Sequence, residues 1–160
     1  PKYLLPWGNK SILCEIIENL NHQNVFKNIY LIANKREEIF MPHVKDIMKH
    51  LNIPLDQLVL IRDTPGQAQT AKIAIEHIQD SFGKMPGPIV FHNVDTILYK
   101  RDLSALEKIL KEYDGLIDTF ESNNRNYSYI LVENGKVEDA ARIAGSTQTL
   151  VVSCVRQAFW

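Results

Sequence analysis

The sequence predicts an α/β fold built on a three-layer, doubly wound and mostly parallel sheet. Two patterns support this fold class. Short apolar runs rich in strand formers alternate with stretches in which apolar residues recur at helical spacing. The strand runs are also continuously apolar, as strands covered on both faces are. Strands separated by helices pair in parallel through right-handed crossovers, so a Rossmann-like sheet in one domain, residues 1–160, is expected.

Four helices are predicted from apolar residues spaced three or four positions apart. Their stripes cover residues 12–20, 40–51, 68–78 and 103–110. Pro42 is compatible with the second helix because it would lie in the first turn. Between and after the helices, strands are predicted at residues 28–33, 58–62, 89–92, 116–120, 127–133, 136–139 and 148–155. Asn134 and Gly135 form a typical two-residue hairpin turn, which predicts a β-hairpin near the C-terminus.

Composition limits the classes of function. The 160 residues are 45% hydrophobic and 23% charged, and 18 basic against 19 acidic residues leave a net charge of −1. No basic stripe indicates nucleic-acid binding, so a small-molecule partner is expected. No apolar run approaches the roughly 18 residues of a membrane helix, and the N-terminus does not resemble a signal peptide. We therefore expect a cytoplasmic protein without membrane contact.

Neither the cysteines nor the histidines predict a metal site. Cys14 and Cys154 match no zinc or redox spacing, and Cys14 lies among apolar residues, which favours a buried thiol. Five histidines are present. His43 and His50 share one face of the second helix, but no neighbouring residue completes a ligand set, so both are expected at the surface.

Ligands of open α/β sheets bind beyond the carboxyl ends of the strands, where three segments are polar. In residues 62–71, Gly66 leaves room for a ligand beside the backbone, and the following helix start favours anionic groups. A plain Pro-Gly turn is the alternative. Asp95 follows the strand at 89–92, where a carboxylate can hold Mg²⁺, or it is a turn residue. Asp102 is expected to be a helix N-cap.

The third polar segment is residues 1–10, in which Lys2 and Lys10 precede the first helix. Lysine is a frequent phosphate partner because its ammonium is a compact point charge. Solvated lysines are the alternative for both positions.

The order of these segments resembles that of the sugar-phosphate nucleotidyltransferases. Residues 1–10, PKYLLPWGNK, are similar to the P-K-x-L-L-P-V-x-N-K-P stretch of that family. Residues 66–71, GQAQTA, resemble its base-binding G-T-A-x-A loop. Residues 93–96, NVDT, with Asp102 and Leu103, resemble its aspartate segment, and residues 135–137, GKV, its hairpin.

The resemblance implies a role for individual residues. Lys2 would contact a phosphate, Gly66 and Gln67 would line the nucleotide base, and Asp95 would be the one ligand of Mg²⁺ in the chain. The sugar pocket and a further phosphate contact would involve Tyr127, Ser128 and Arg142.

The implied reaction transfers a nucleotidyl group from a nucleoside triphosphate to a sugar 1-phosphate, or to a similar small phosphate such as phosphocholine, with release of pyrophosphate. Its product would supply surface polysaccharide synthesis. The alternative is a non-catalytic relative that binds a nucleotide or nucleotide-sugar, or that pairs with a catalytic subunit. A homo-oligomer is compatible with both hypotheses.

The chain departs from the family pattern at several positions. Val94 and Gln67 replace a glycine and a threonine, and residues 141–143, ARI, stand where Glu-Lys-Pro is expected. The family's Gly-rich loop and first strand would precede Pro1, and a second aspartate ligand would follow Trp160, so we expect the chain to be incomplete at both ends. The missing strand would lie between those at 29–33 and 89–92, which should therefore not pair with each other.

Overall fold

A computed structural model of the chain describes residues 1–83, 87–100, 102–110, 112–113 and 115–117, and strand segments at 128–133, 136–141, 148–149 and 153–155. Contacts divide the chain into two compact units. One comprises Pro1–Pro86 with Val94–Ser104, and the other Gly87–Asn93 with Ala105–Trp160. The organisation as one domain stays a prediction.

All four predicted helices occur in the described residues: α1 Ile12–Asn21, α2 Met41–His50, α3 Gln67–Phe82 and α4 Leu103–Ile109. Short 3₁₀ helices cover Lys2–Leu4, Lys35–Phe40 and Leu55–Gln57. The first strands are β1 Pro6–Trp7, β2 Lys10–Ser11, β3 Leu31–Asn34, β4 Leu58–Ile61 and β5 Ile89–Phe91. The later strands are β6 Gly115–Ile117, β7 Ser128–Glu133, β8 Lys136–Ala141, β9 Gln148–Thr149 and β10 Ser153–Val155.

The first unit is organised around the parallel pair β3–β4, which runs in register from Leu31 opposite Leu58 to Asn34 opposite Ile61. Successive side chains of a strand point to opposite faces, so each face of this pair has its own cluster. On one face, α1 and α2 form a core with alternate strand residues: Leu13, Ile17, Met41, Val44, Met48 and Ile53 pack with Leu31, Ala33, Leu58 and Leu60. On the other, Val59 and Ile61 pack with Ile32 of β3 and Ile78 of α3.

The helix starts follow from local side chains. Ser11 is the N-cap of α1, and its hydroxyl accepts a hydrogen bond from the Cys14 amide at 3.2 Å. Pro42 lies in the first turn of α2, as predicted. Before α1, β1 and β2 pair as a tight hairpin in which Gly8 has a φ of +62°. That left-handed conformation favours glycine.

In the second unit, the central strand is antiparallel to its neighbours. β10 pairs with β5 on one side and with β6 on the other, so Ser153 lies between Phe91 and Ile117. β5 and β6 consequently point the same way without being adjacent. Among the described residues β3–β4 is the one parallel pair, and the strands fall into four small sheets. The mostly parallel single sheet of the sequence prediction is thus seen only in part.

The hairpin prediction is confirmed. β7 and β8 pair antiparallel, with Glu133 opposite Lys136 and a register irregularity between Leu131 and Val132. The single strand predicted at 148–155 is wrong, because its two ends belong to different sheets. β9 pairs with β7, whereas β10 lies between β5 and β6. No residue in the segment QTLVVSCV is a glycine or proline that would indicate where one strand ends and the next begins.

β3 is hydrogen-bonded to β4, and β5 to β10, so the strands at 29–33 and 89–92 belong to separate sheets. Within the described part of the chain, no helix combines the length and the apolar character that a membrane crossing requires.

Candidate functional site

The carboxyl ends of β3 and β4 lie side by side, because the two strands are parallel and in register. The loops that leave them therefore meet at one edge, where ligands of open α/β sheets bind. A small cavity of about 90 Å³ opens there, lined by Ile32, Ala33, Asn34, Ile61, Arg62, Thr64 and Thr70. This edge is the candidate site, and hereafter we call it the β3–β4 edge.

Asn34 and Asp63 join the two loops of the β3–β4 edge. The Asn34 carboxamide donates from Nδ2 to Asp63 Oδ1 at 2.7 Å, and its Oδ1 accepts from the Arg36 amide at 2.9 Å. The Arg36 guanidinium forms an ion pair with Asp63 Oδ2. Both carboxylate oxygens of Asp63 are therefore engaged, and its charge is balanced. Asp63 therefore organises the edge by holding Asn34 and Arg36.

The second loop is tied to the first turn of α3 through the Gly66 carbonyl. That oxygen accepts from the Thr70 amide at 3.1 Å and lies 3.2 Å from the hydroxyl oxygens of both Thr64 and Thr70. The two hydroxyl oxygens are 2.5 Å apart. The threonines hold the loop backbone in place and leave its outer side open.

Gly66 is exposed, and its glycine identity is not required by the fold. Its φ of 177° and ψ of 176° are extended values that any residue adopts. A Cβ built on it would meet no atom within 4 Å. No side chain caps α3 at Gly66, and Gln67 opens the helix, whose first amides carry a partial positive charge. The loop thus presents open space and a weakly electropositive helix start.

The two N-terminal lysines differ in their environment. Lys10 forms an ion pair with Glu18 and lies 3.9 Å from Glu15 Oε2. Hydrogen bonding to Glu18 raises the pKa of Lys10, so this ammonium is already neutralised within the chain. Lys2, in the 3₁₀ helix Lys2–Leu4, is exposed, and no ion pair to it occurs among the described residues. Of the two lysines, Lys2 is the one whose charge is available to a ligand.

Asp95 and Asp102 occupy different settings. Asp95 lies in an exposed turn after β5, and in the described part of the chain no hydrogen bond or ion pair engages its carboxylate. An exposed carboxylate of this kind fits Mg²⁺, which takes oxygen ligands and keeps several waters. Asp102 directly precedes α4, as the N-cap prediction requires, and its Oδ1 accepts from the Ser104 hydroxyl at 2.6 Å.

The predicted sugar-pocket residues are described only in part. Ser128 is the first residue of β7 and pairs with Thr149 of β9. Tyr127 and Arg142 lie outside the described residues, as do the turn residues Asn134 and Gly135. Their roles stay predictions.

One group of potential metal ligands was missed by the sequence reasoning. Cys14 is buried, as predicted, and His50 is exposed, as predicted. Nevertheless His50 belongs to a ligand set: the ligand atoms of Cys14, Glu18 and His50 all lie within 4.8 Å of one another. The expectation that no residue near His50 completes a ligand set did not take this cluster of potential ligands into account. The set joins two helices, and no local spacing in the sequence reveals it.

Asn34 and Arg36 were also missed. Polar residues directly after the strand at 28–33 were a usable signal, since the same logic selected Gly66 and Asp95 after other strands.

Comparison with known proteins identifies a likeness of fold. No protein-family model matches the chain, and no curated protein sequence does. The fold resembles that of a nucleoside-diphosphate-sugar pyrophosphorylase. That protein, from Vibrio cholerae RC9, has a crystal structure that superposes with a TM-score of 0.78 at 20% sequence identity. The match covers 98% of this chain and 66% of the pyrophosphorylase. The α/β fold of the chain is therefore nucleotidyltransferase-like.

Proposed function

We propose that the chain is the nucleotide-binding part of an enzyme that transfers a nucleotidyl group from a nucleoside triphosphate to a sugar 1-phosphate or a similar small phosphate. The observation that supports this most is the likeness of fold to the pyrophosphorylase over 98% of the chain. The open glycine loop at the β3–β4 edge agrees with it, since this edge is the ligand-binding side of open α/β sheets. The doubly wound, three-layer and mostly parallel sheet expected from the sequence is part of this proposal.

The Gly66 loop is assigned to the nucleotide. Gly66 and Gln67 would lie against the base through backbone groups, because Gly66 has no side chain to exclude a flat ring. The Thr64 and Thr70 hydroxyls fix the Gly66 carbonyl from the protein side. These hydrogen bonds restrain the loop backbone, and a restrained loop lowers the entropy that binding costs.

Lys2 and Asp95 are assigned to the phosphates. The Lys2 ammonium would lie beside a phosphate as a point charge. Asp95 would hold Mg²⁺, which supplies neutralisation of phosphate charge when bound. Tyr127, Ser128 and Arg142 would contact the acceptor, with Arg142 as a phosphate contact.

The reaction is an in-line displacement. A phosphate oxygen of the acceptor attacks the α-phosphorus of the triphosphate and forms a new P–O bond. The bond from the α-phosphorus to the bridging oxygen breaks, and its electron pair leaves with pyrophosphate. The contribution of these residues is positioning and charge stabilisation. The product would feed surface polysaccharide synthesis in the cytoplasm.

A second candidate function is nucleotide or nucleotide-sugar binding without turnover, or pairing with a catalytic subunit. The sequence departures favour it: Ala141, the last residue of β8, stands where the related enzymes have a glutamate, and Val94 replaces a glycine before Asp95.

Pyrophosphate release separates the two candidates. The protein is assayed with ATP, CTP, GTP and UTP, each with hexose 1-phosphates or phosphocholine, with and without Mg²⁺. Turnover that requires Mg²⁺ with one triphosphate supports the enzyme. Triphosphate binding by calorimetry without turnover supports the second function. If no pair gives binding or turnover, the enzyme and the nucleotide-binding form of the second candidate are both contradicted, and pairing with a catalytic subunit is what is left.

A further inference from the structure

Three side chains of different chemistry converge between α1 and α2. Cys14 and Glu18 lie four residues apart on α1, so they share one face of the helix. His50 is the last residue of α2. The Cys14 Sγ lies 3.7 Å from Glu18 Oε1, and the ligand atoms of all three residues lie within 4.8 Å of one another.

The packing of the two helices holds these residues in place. Leu13 and Ile17, which flank Cys14 on α1, share a buried core with Val44 and Met48 of α2. Cys14 is itself only 6% exposed, Glu18 is partly buried, and His50 is exposed. The cluster therefore runs from a buried thiol to the surface, which gives an ion a path of entry on the His50 side.

We propose that Cys14, Glu18 and His50 bind a zinc-class divalent cation. Thiolate, imidazole and carboxylate are the three ligand types of protein zinc sites, at about 2.3, 2.0–2.1 and 2.0–2.2 Å from the metal. Ligand atoms around a tetrahedral ion of that size are about 3.5 Å apart. The Cys14–Glu18 separation already has this value within a few tenths of an ångström. The separations to the His50 ring nitrogen are within 4.8 Å, and the exposed His50 side chain is free to rotate and shorten them.

The surrounding charges favour a dication. The Cys14 thiolate, Glu18 and Glu15 carry three negative charges and Lys10 carries one positive charge, so the net charge of −2 balances Zn²⁺ in a partly buried site. This balance limits the cost of burying charge. The second oxygen of Glu18 is held by Lys10, which also lies 3.9 Å from Glu15. Glu18 thus directs Oε1 towards Cys14 while Lys10 fixes Oε2. Hydrogen-bonded ligand carboxylates of this kind are typical of metal sites.

The site has a distinct selectivity and role. A soft thiolate selects zinc-class ions over Mg²⁺, so this site differs chemically from the Asp95 carboxylate. The three ligands join α1 to the end of α2, and a bound ion would lock the two helices together. The proposal is independent of nucleotidyl transfer, since none of its ligands belongs to the β3–β4 edge.

Cobalt substitution tests the site directly. The reduced full-length protein is titrated with Co²⁺, and the thiolate-to-cobalt charge-transfer absorption is recorded, followed by displacement with Zn²⁺. One equivalent should produce the band and raise the melting temperature, since a ligand that binds the folded state stabilises it. His50→Gln should weaken Co²⁺ binding by about 10- to 100-fold or more, and Cys14→Ser should abolish the band.

Matched variants keep the test decisive. Three control variants alter residues of the same types outside the cluster. His43→Gln changes another exposed histidine of α2, Glu15→Gln changes a neighbouring carboxylate, and Cys154→Ser changes the other thiol. Each variant should bind Co²⁺ with an affinity within about 3-fold of that of the unaltered protein. If Cys14→Ser does not fold, the Co²⁺ affinity of His50→Gln still tests the site, because His50 is exposed and its substitution leaves the core unchanged. No charge-transfer band, a band lost in Cys154→Ser, or equal affinity of His50→Gln and the unaltered chain would each overturn the proposal.

Discussion

The carboxamide of Asn34 donates to the carboxylate of Asp63 at 2.7 Å, linking the ends of β3 and β4 across 29 residues of sequence. This contact ties together the two loops at the β3–β4 edge, where the paired strands end. Asn34→Ala and Asp63→Ala should therefore be non-additive in the free energy of unfolding. Because the bond and the Arg36 ion pair are solvent-exposed, the coupling should stay below about 1 kcal/mol.

Urea unfolding of the two single variants and the double variant measures this coupling. Asp56→Ala, an exposed carboxylate in the 3₁₀ helix Leu55–Gln57, is the control that should add to Asn34→Ala without coupling. Strict additivity of Asn34→Ala and Asp63→Ala would show that the link does not organise the edge.

Gly66 and Gly83 flank α3, and substitutions at these two glycines should have opposite effects. At Gly66 they should weaken triphosphate binding, and at Gly83 they should lower stability. A Cβ at Gly66 meets nothing within 4 Å, so Gly66→Ala and Gly66→Val should fold normally but lose triphosphate affinity by about 10-fold or more if the base lies there. Gly83 has a φ of +81°, so Gly83→Ala should cost about 1 kcal/mol of stability without weakening binding. Calorimetry and urea unfolding measure the two effects. Unchanged affinity of Gly66→Val would mean that the loop is only a turn.

Local patterns predicted the helices well and the sheet less well. The stripes of α1 and α3 match the observed bounds within a few residues, because apolar spacing is a property of the helix itself. Strand adjacency is not local. Nothing in the spacing of β5 and β6 shows that β10 inserts between them, since that strand comes from the end of the chain.

The features of the candidate site also differ in how far the sequence predicts them. The place of the Gly66 loop was predictable because it follows a strand, and the loops after parallel strands lie at one edge of a sheet. The role of Asp95 stays a prediction. The hydrogen bond from Asn34 to Asp63 was not predictable, because it depends on β3 and β4 being paired in register. The Cys14–Glu18–His50 cluster likewise arises from the packing of α1 on α2, which residue spacing does not encode.

Among the described residues of the first unit, Met48 is the most buried large side chain, with 0% exposure. It lies in the core shared by α1 and α2. Met48→Ala should lower the free energy of unfolding by about 2–5 kcal/mol, since it removes buried methylenes and leaves a cavity. Ile39→Ala is the matched control, because Ile39 is 78% exposed and should change stability by less than about 0.5 kcal/mol. Similar losses in both variants would contradict the assignment of the core.

Tyr3 should make stability dependent on alkaline pH. Burial, together with the hydrogen bond to Glu37 Oε2 at 2.8 Å, raises the pKa of Tyr3 above its ordinary value of 10.0. The folded state thus favours the protonated phenol. Its contribution is complete below pH 10 and is lost as pH rises towards the folded-state pKa. Lys10 and Cys14 have raised pKa values and act in the same direction.

The variant Tyr3→Phe isolates the contribution of Tyr3 to the pH dependence of the free energy of unfolding. Above pH 10 the free energy of unfolding of this variant should fall less steeply than that of the unaltered chain, while the Lys10 and Cys14 contributions persist. Urea unfolding across the alkaline range, with tyrosinate absorbance as a second readout, measures the difference. Identical slopes for the two proteins would exclude a raised pKa at Tyr3.

Asp95 and Asp102 provide the test of the proposed catalytic carboxylate. Asp95 is exposed after β5 with no described partner, whereas Asp102 accepts from Ser104 at the start of α4. In the full-length protein, Asp95→Asn should lower Mg²⁺-dependent pyrophosphate release by at least about 10²-fold, because charge stabilisation of phosphates is worth several kcal/mol. Asp102→Asn should leave turnover unchanged, since asparagine is an equally good N-cap. Steady-state rates at several Mg²⁺ concentrations separate a metal role from a structural one, because added Mg²⁺ rescues only weakened binding. Full turnover in Asp95→Asn would remove Asp95 from the proposed site.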